Sequence, residues 1–154
     1  EAAPAVVSTL RTAQHIVLVT NQITESKVVD FTQRPNLRGT FRAVFPKVDE
    51  YQLVPGDTEK ILAAANAADA VFLLTQNIQN SNNDMVRWAK QLPAAAGRKT
   101  IGISVRNPYD QVHMPRLAGY YALYEPAPIE IAVLLSHWFT GQPLPGQLPV
   151  TLAP

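Results

Sequence analysis

The side chains of this sequence that could bind or react gather where short apolar segments end. Apolar segments cover 15–20, 70–75 and 101–105, and polar side chains follow each of them. We call this set the rim residues: Asn21, Gln76, Asn77, Asn80, Arg106, Asn107, Tyr109 and Asp110. If the three segments are adjacent parallel strands, their carboxyl ends lie side by side. The rim residues then share the edge at which open α/β sheets bind ligands and partners.

The chemistry of the rim residues suits recognition. Amides and an arginine can hydrogen-bond hydroxyl groups or a neighbouring domain, and a tyrosine adds contact area with a polar tip. The alternative is local, because Asn, Asp and Pro are ordinary turn formers and the amides would then only cap turns. The sequence leaves both interpretations open.

No arrangement typical of a self-contained active site occurs in the sequence. His15, His113 and His137 have no metal-ligating partner three or four residues further on, so structural roles are predicted for them. No serine lies in a Gly-x-Ser-x-Gly setting, and the glycine-rich phosphate loops G-x-G-x-x-G and G-x-x-x-x-G-K-[ST] do not occur. The sequence therefore predicts no catalytic residue, no metal site and no bound cofactor.

The composition indicates one globular domain. A chain of 154 residues can bury a core, and 47% hydrophobic against 16% charged residues is not a disordered composition. The net charge of +1 gives no electrostatic case for binding nucleic acid or an anionic membrane. The absence of cysteine excludes disulfides and thiol catalysis. The apolar segments are all shorter than a membrane helix requires.

The apolar pattern alternates between strand and helix. Strands are predicted at 15–20, 48–54, 70–75, 101–105 and 120–124, and helices at 36–45, 58–68, 85–92 and 128–139. Asp57 or Thr58 is expected to cap the second helix, and the last helix is apolar nearly all round, which predicts that it is well buried. This alternation predicts a three-layer α/β/α sandwich of the flavodoxin-like kind, with a mostly parallel sheet of about five strands. Residues 1–14 are expected to be a lead-in segment from an upstream domain, and 15–154 the domain itself.

Several motifs occur in a familiar order. They are Ala-Asp-Ala-Val-Phe-Leu-Leu-Thr from Ala68, Arg-Asn-Pro-Tyr-Asp from Arg106, Tyr-Tyr-Ala-Leu-Tyr from Tyr120, and the ending Gly-Gln-Pro-Leu-Pro-Gly-Gln-Leu-Pro-Val from Gly141. Together they resemble the carboxyl-terminal domain of glycoside hydrolase family 3, in particular its β-N-acetylglucosaminidase-like branch. In the ending, Leu144 and Pro145 shift the proline slightly from the family's pattern. The resemblance runs from about Ala63 onward and is weaker before it.

The resemblance implies an α/β/α domain that packs on an upstream (β/α) barrel, which hydrolyses β-linked N-acetylglucosamine, as in cell-wall sugars. Glycoside hydrolysis usually needs two carboxyl groups across the scissile bond. In the family the nucleophilic aspartate belongs to the barrel, and this branch keeps a His-Asp pair there as well. The resemblance therefore assigns no catalytic residue to this chain, and structural roles are expected for Asp84, Asp110 and Glu125.

The same resemblance implies that the fragment alone is inactive, and it favours an extracellular or cell-envelope location. The rim residues would then face the barrel and its sugar site. The competing interpretation is a free-standing flavodoxin-like domain that binds a ligand or another protein, with no glycosidase partner.

Overall fold

The described strands form a single parallel sheet. The structure, a computed structural model, describes residues 4–21, 36–54, 56–78, 87, 90–92, 99–114, 116–124, 127–144 and 146. Its strands are β1 (His15–Thr20), β2 (Lys47–Gln52), β3 (Ala70–Thr75), β4 (Thr100–Ser104) and β5 (Gly119–Ala122). They lie in the order β2-β1-β3-β4-β5, and every neighbouring pair is parallel. This is the flavodoxin-like strand order, so the predicted fold class is confirmed.

Helices cover both faces of this sheet. They include α1 (Pro4–Thr12), α2 (Leu37–Arg42), α3 (Thr58–Ala67) and α4 (Pro128–Thr140). Alternate residues of each central strand point to opposite faces, which separates the core into two clusters. One cluster joins α1, α2 and α4 to the sheet, and the other joins α3 and Leu92 to it. Strands β1, β3 and β4 are almost wholly buried, as expected for continuous apolar strands between two helical layers.

Aromatic rings fill the core beneath α4. The Trp138 ring stacks on Phe72 with centroids 5.3 Å apart, and it meets the Tyr121 ring edge-on at 5.4 Å. The Phe41 ring packs against the same Phe72 at 5.0 Å, which connects α2 to the cluster. Helix α4 begins with Pro128 and is followed by Gly141, whose φ of 76° is left-handed, in agreement with the sequence.

Three local expectations were wrong. Helix α2 ends at Arg42, whereas the sequence predicts a helix over 36–45. The chain turns after it, so that Phe45 is buried while Val44 is exposed. Asp57 precedes α3 but makes no side-chain capping hydrogen bond. Helix α4 is buried on one face only, because it lies on the outside of the sheet, and its outer side chains Ile129 and Val133 are 69% and 46% exposed.

Helix α1 belongs to the core of this domain. Leu10 is buried among the residues under α4, and the Arg11 Nε donates a 2.7 Å hydrogen bond to the Trp138 carbonyl. The expectation that residues 1–14 also lead in from an upstream domain stays a prediction. None of the described helices is long and apolar enough to cross a membrane.

Replacing Trp138 tests the packing of α4. Trp138→Ala removes the ring between Phe72 and Tyr121, so we expect the free energy of unfolding to fall by about 3–5 kcal/mol. Ile129→Ala, on the outer face of the same helix, should change it by less than about 0.5 kcal/mol. Urea unfolding followed by circular dichroism measures both. Similar values for the two variants would contradict the assigned faces of α4.

Candidate functional site

The structure brings the rim residues to one edge of the sheet. Strands β1, β3 and β4 are adjacent and parallel, so the segments that follow them leave the sheet side by side. Seven of the eight rim residues can be placed there, while Asn80 lies outside the described residues. The described rim residues therefore lie along this carboxyl edge. Their role in binding stays a prediction.

Asn21 joins the ends of β1 and β3. Its side-chain amide donates to the Gln76 carbonyl, and its side-chain oxygen accepts from the Gln76 N–H, both at 2.9 Å. The Asn21 backbone N–H also donates to the Leu74 carbonyl at 3.3 Å. Asn21 and Gln76 are both buried. The Asn21 amide therefore continues the sheet ladder one step beyond the strands.

Asp110 joins the ends of β3 and β4. It lies in the 3₁₀ helix Pro108–His113 that follows β4, and its Oδ1 accepts a 3.0 Å hydrogen bond from the Ile78 N–H. The chain reaches Ile78 through Asn77, whose φ of 51° is left-handed, a conformation that asparagine tolerates better than most residues. The carboxyl group of Asp110 therefore holds two loops together inside the protein.

Burial raises the pKa of the Asp110 carboxyl, because the ionised form loses its hydration. Hydrogen bonding by the Thr75 hydroxyl and the Ile78 N–H, and the nearby His113, act in the opposite direction. Within the described part of the chain, the Asp110 Oδ2 and the Thr75 Oγ1 make no hydrogen bond of ordinary geometry. The second carboxylate oxygen is thus poorly solvated, which agrees with the raised pKa.

Tyr120 supports the same 3₁₀ helix from β5. Its hydroxyl lies 2.7 Å from the Ser104 Oγ and 2.9 Å from the Pro108 carbonyl oxygen. A phenol has one hydrogen and a carbonyl only accepts, so Tyr120 donates to Pro108 and accepts from Ser104. Burial raises the pKa of Tyr120 to about 12, which keeps this donor protonated. Gly102 leaves room for two side chains, since a Cβ there would lie 2.6 Å from the Leu117 Cδ1 and 3.1 Å from the Tyr120 ring.

The rim residues therefore divide into two groups. Asn21, Gln76 and Asp110 are buried. The outer group consists of Asn77, Arg106, Asn107 and Tyr109, which are partly or well exposed, with Tyr109 at 45%. Asn107 also caps the 3₁₀ helix, because its Oδ1 accepts from the Tyr109 N–H at 3.0 Å. The buried members of the rim thus fix turns, and the side chains of the outer group reach solvent.

Other candidates for chemistry are placed elsewhere or outside the described residues. The His15 Nε2 donates to the Asp49 carboxylate at 2.8 Å, at the amino end of β1. This hydrogen bond is the main cause that lowers the pKa of Asp49. His137 contacts the Gln142 carbonyl after α4. Asp84 and Glu125 lie outside the described residues.

Sequence reasoning missed Tyr120, Ser104 and Gly102 as parts of this edge. A signal was present, because a tyrosine in an apolar strand usually needs a hydrogen-bond partner for its hydroxyl. The partner itself could not be predicted, since it depends on the register between β4 and β5, which places Gly102 opposite Tyr120.

Substituting Asp110 tests its role as a buried acceptor. Asp110→Ala leaves the Ile78 N–H without its acceptor, so we expect the free energy of unfolding to fall by about 1–3 kcal/mol. In Asp110→Asn the remaining carbonyl oxygen can still accept from Ile78, and the new NH₂ can donate to the Thr75 hydroxyl. This variant should be at least as stable as the wild type at neutral pH. A loss as large as that of the alanine variant would contradict the assigned contact.

The stability of the wild type and that of Asp110→Asn should also depend differently on pH. Because the pKa of Asp110 is raised in the folded state, the folded protein binds this proton more tightly than the unfolded chain. Its contribution to stability is present at low pH and is lost as the pH rises from about 3.9, the usual aspartate value, through the raised pKa. Urea unfolding at a series of pH values should show this loss in the wild type relative to Asp110→Asn. Parallel stability curves would contradict the raised pKa.

Comparison with known proteins places this fold. No family model matches the chain, and no curated protein matches it. Among solved structures, a glycoside hydrolase family 3 β-N-acetylglucosaminidase from Paenibacillus sp. str. FPU-7 is similar with a TM-score of 0.74 and 20% identity, over 92% of this chain and 28% of that one. A fungal multi-domain family 3 β-N-acetylglucosaminidase, described with a GCN5-related glucosamine N-acetyltransferase region, is similar with a TM-score of 0.69 and 19% identity, over 90% of this chain and 16% of that one.

The chain thus spans less than a third of the length of either neighbour. At these identities the likeness is one of fold. The resemblance seen in the sequence is confirmed at that level: the chain has the fold of one part of two family 3 β-N-acetylglucosaminidases.

Proposed function

We propose that this chain is the non-catalytic carboxyl-terminal domain of a family 3 glycoside hydrolase. In this proposal it packs on a (β/α) barrel that hydrolyses β-linked N-acetylglucosamine, and the barrel supplies the catalytic groups. The observation that carries the proposal is that nearly the whole chain has the fold of a minor part of two such enzymes. The sequence motifs, and the order in which they occur along the chain, support the same assignment.

The state of Asp110 supports a non-catalytic role. A glycosidase carboxyl group must reach the glycosidic oxygen or the anomeric carbon. Asp110 is the rim residue with a carboxyl group, and it is fully buried and bonded to Ile78. It cannot meet a sugar while it holds the two loops together, although its raised pKa alone would suit an acid.

The outer group of rim residues supports a docking role. Tyr109 projects from the 3₁₀ helix, and Arg106 and Asn107 lie beside it in the same turn. Tyrosine and arginine are enriched where proteins contact each other, because both combine apolar area with directed hydrogen bonds. Hydrogen bonds of Asp110 and Tyr120 hold this turn from the inside of the protein. The outer side chains therefore project from a rigid backbone.

Activity measurements on the parent protein, the longer protein of which this chain would be a domain, test the proposal. The parent gene should encode a (β/α) barrel upstream of residue 1, and the parent should hydrolyse an aryl β-N-acetylglucosaminide. The 154-residue chain should not hydrolyse it. Turnover that purifies with the 154-residue chain would contradict the non-catalytic role. A parent without a barrel would favour the free-standing binding domain.

Truncation of Tyr109 in the parent tests the docking role of the rim. Tyr109→Ala should lower activity or weaken domain docking, by more than about 1 kcal/mol if the ring is a central contact. Lys60→Ala, an exposed change on α3, and Val44→Ala, at the opposite edge of the sheet, serve as controls. Activity and thermal unfolding of the parent measure the effect. Equal effects in all three variants would leave the rim as ordinary loop surface.

A further inference from the structure

The strand order of this sheet implies a binding site between β1 and β3. In the order β2-β1-β3-β4-β5, the direction in which strands are added reverses between these two strands. Flavodoxin-like proteins hold a phosphate-bearing cofactor, FMN, in the crevice beyond this reversal. We call the ends of β1 and β3, at Asn21 and Gln76, the switch point. Phosphate groups bind in such crevices to free backbone N–H groups and to the first turn of a helix, so a cofactor site here requires free N–H groups.

The backbone groups at the switch point are already bonded. The Asn21 side chain accepts from the Gln76 N–H and donates to the Gln76 carbonyl, both at 2.9 Å. The Asn21 N–H donates to the Leu74 carbonyl, and the Ile78 N–H donates to Asp110. Asn21 and Gln76 are only 4% and 5% exposed. An anion can therefore reach the Gln76 N–H only by displacing the buried Asn21 amide.

The switch point also has the wrong donors and acceptors for a phosphate. The Gln76 N–H is a donor and the Gln76 carbonyl is an acceptor, so together they match a side-chain amide, which offers one group of each kind. An ionised phosphate oxygen only accepts, and it would leave the buried Gln76 carbonyl without a donor, which costs free energy. The ionised form of Asp110, which joins the next pair of strands, would also repel it.

Helix α2, which follows β1 in the described part of the chain, is capped by its own side chain. The Asn36 Oδ1 accepts a 2.8 Å hydrogen bond from the Gly39 N–H. A Cβ at residue 39 would lie 2.5 Å from the Asn36 Nδ2, so the glycine leaves room for this cap. Such a cap satisfies an N–H group that the helix itself cannot bond. Here too an asparagine amide takes the place of an outside acceptor.

We propose that the Asn21 side chain closes the switch point, so that this domain takes no phosphate-bearing cofactor where its strand order implies one. The Asn21 amide ties β1 to β3 through the same backbone groups that a bound phosphate would need. The inference goes beyond the proposed function and does not depend on it, because it holds whether or not a barrel precedes the domain. It separates this domain from a flavodoxin-like domain that binds a nucleotide.

Amide hydrogen exchange of the 154-residue chain, followed by NMR, tests the closure. We expect the Gln76 N–H to exchange at least about tenfold more slowly in the wild type than in Asn21→Ala, which corresponds to roughly 1.4 kcal/mol. Asn66→Ala removes an exposed asparagine side chain from α3, and this matched control should leave the rate unchanged. An unprotected Gln76 N–H in the wild type would overturn the inference, even if Asn21→Ala does not fold. Equal protection in the wild type and Asn21→Ala would also overturn it.

Ligand binding tests the consequence of the closure. Equilibrium dialysis of the wild-type chain against FMN, ATP and inorganic phosphate should show no saturable binding with a Kd below about 1 mM. Micromolar binding of FMN or ATP that shifts the Gln76 amide signal would overturn the inference. Binding that leaves this signal unmoved would lie elsewhere on the domain, and the switch point would still be closed. If the parent has no barrel and the chain binds none of these ligands, the proposed function fails and this inference stands.

Discussion

The carboxyl edge of this domain depends on the buried hydrogen bond from the Ile78 N–H to the Asp110 carboxyl group. The bond closes the gap between the loop after β3 and the 3₁₀ helix after β4, which are 32 residues apart in sequence. Burying a carboxyl group costs free energy unless it is well bonded, and its second oxygen has no partner of ordinary geometry among the residues that the structure describes. Burial therefore destabilises the ionised form of the Asp110 carboxyl group, while its hydrogen bond to Ile78 fixes the turn.

That fixed turn links the fold to the proposed function. Asn21 joins β1 to β3, Asp110 joins β3 to β4, and Tyr120 joins β5 to the 3₁₀ helix, so the carboxyl edge is tied together across four strands. Contact residues bind best when packing and hydrogen bonds already hold them in place. The buried amides and carboxyl group supply that support, and in the proposed function Tyr109 supplies contact area. This division of roles suits a domain that supports a neighbour's chemistry.

The fold could be predicted from the sequence because its signals are local. Short apolar segments gave β1, β3 and β4, and prolines and glycines placed the limits of α4. The burial of individual side chains could not be predicted. Asp110 and Asn107 are both polar residues of one turn, yet Asp110 points inward to Ile78 and Asn107 caps its own helix. Only the packing of β3 beside β4 decides between these roles, and that packing joins distant parts of the chain.

The most direct test of the account is an experimental structure of the parent protein. We expect a (β/α) barrel upstream of α1, seated on the carboxyl edge of this domain, with Tyr109 buried against it and Asp110 still bonded to Ile78. A barrel packed on the α3 face instead, with Tyr109 open to solvent, would contradict the account. So would a parent in which no barrel precedes this domain.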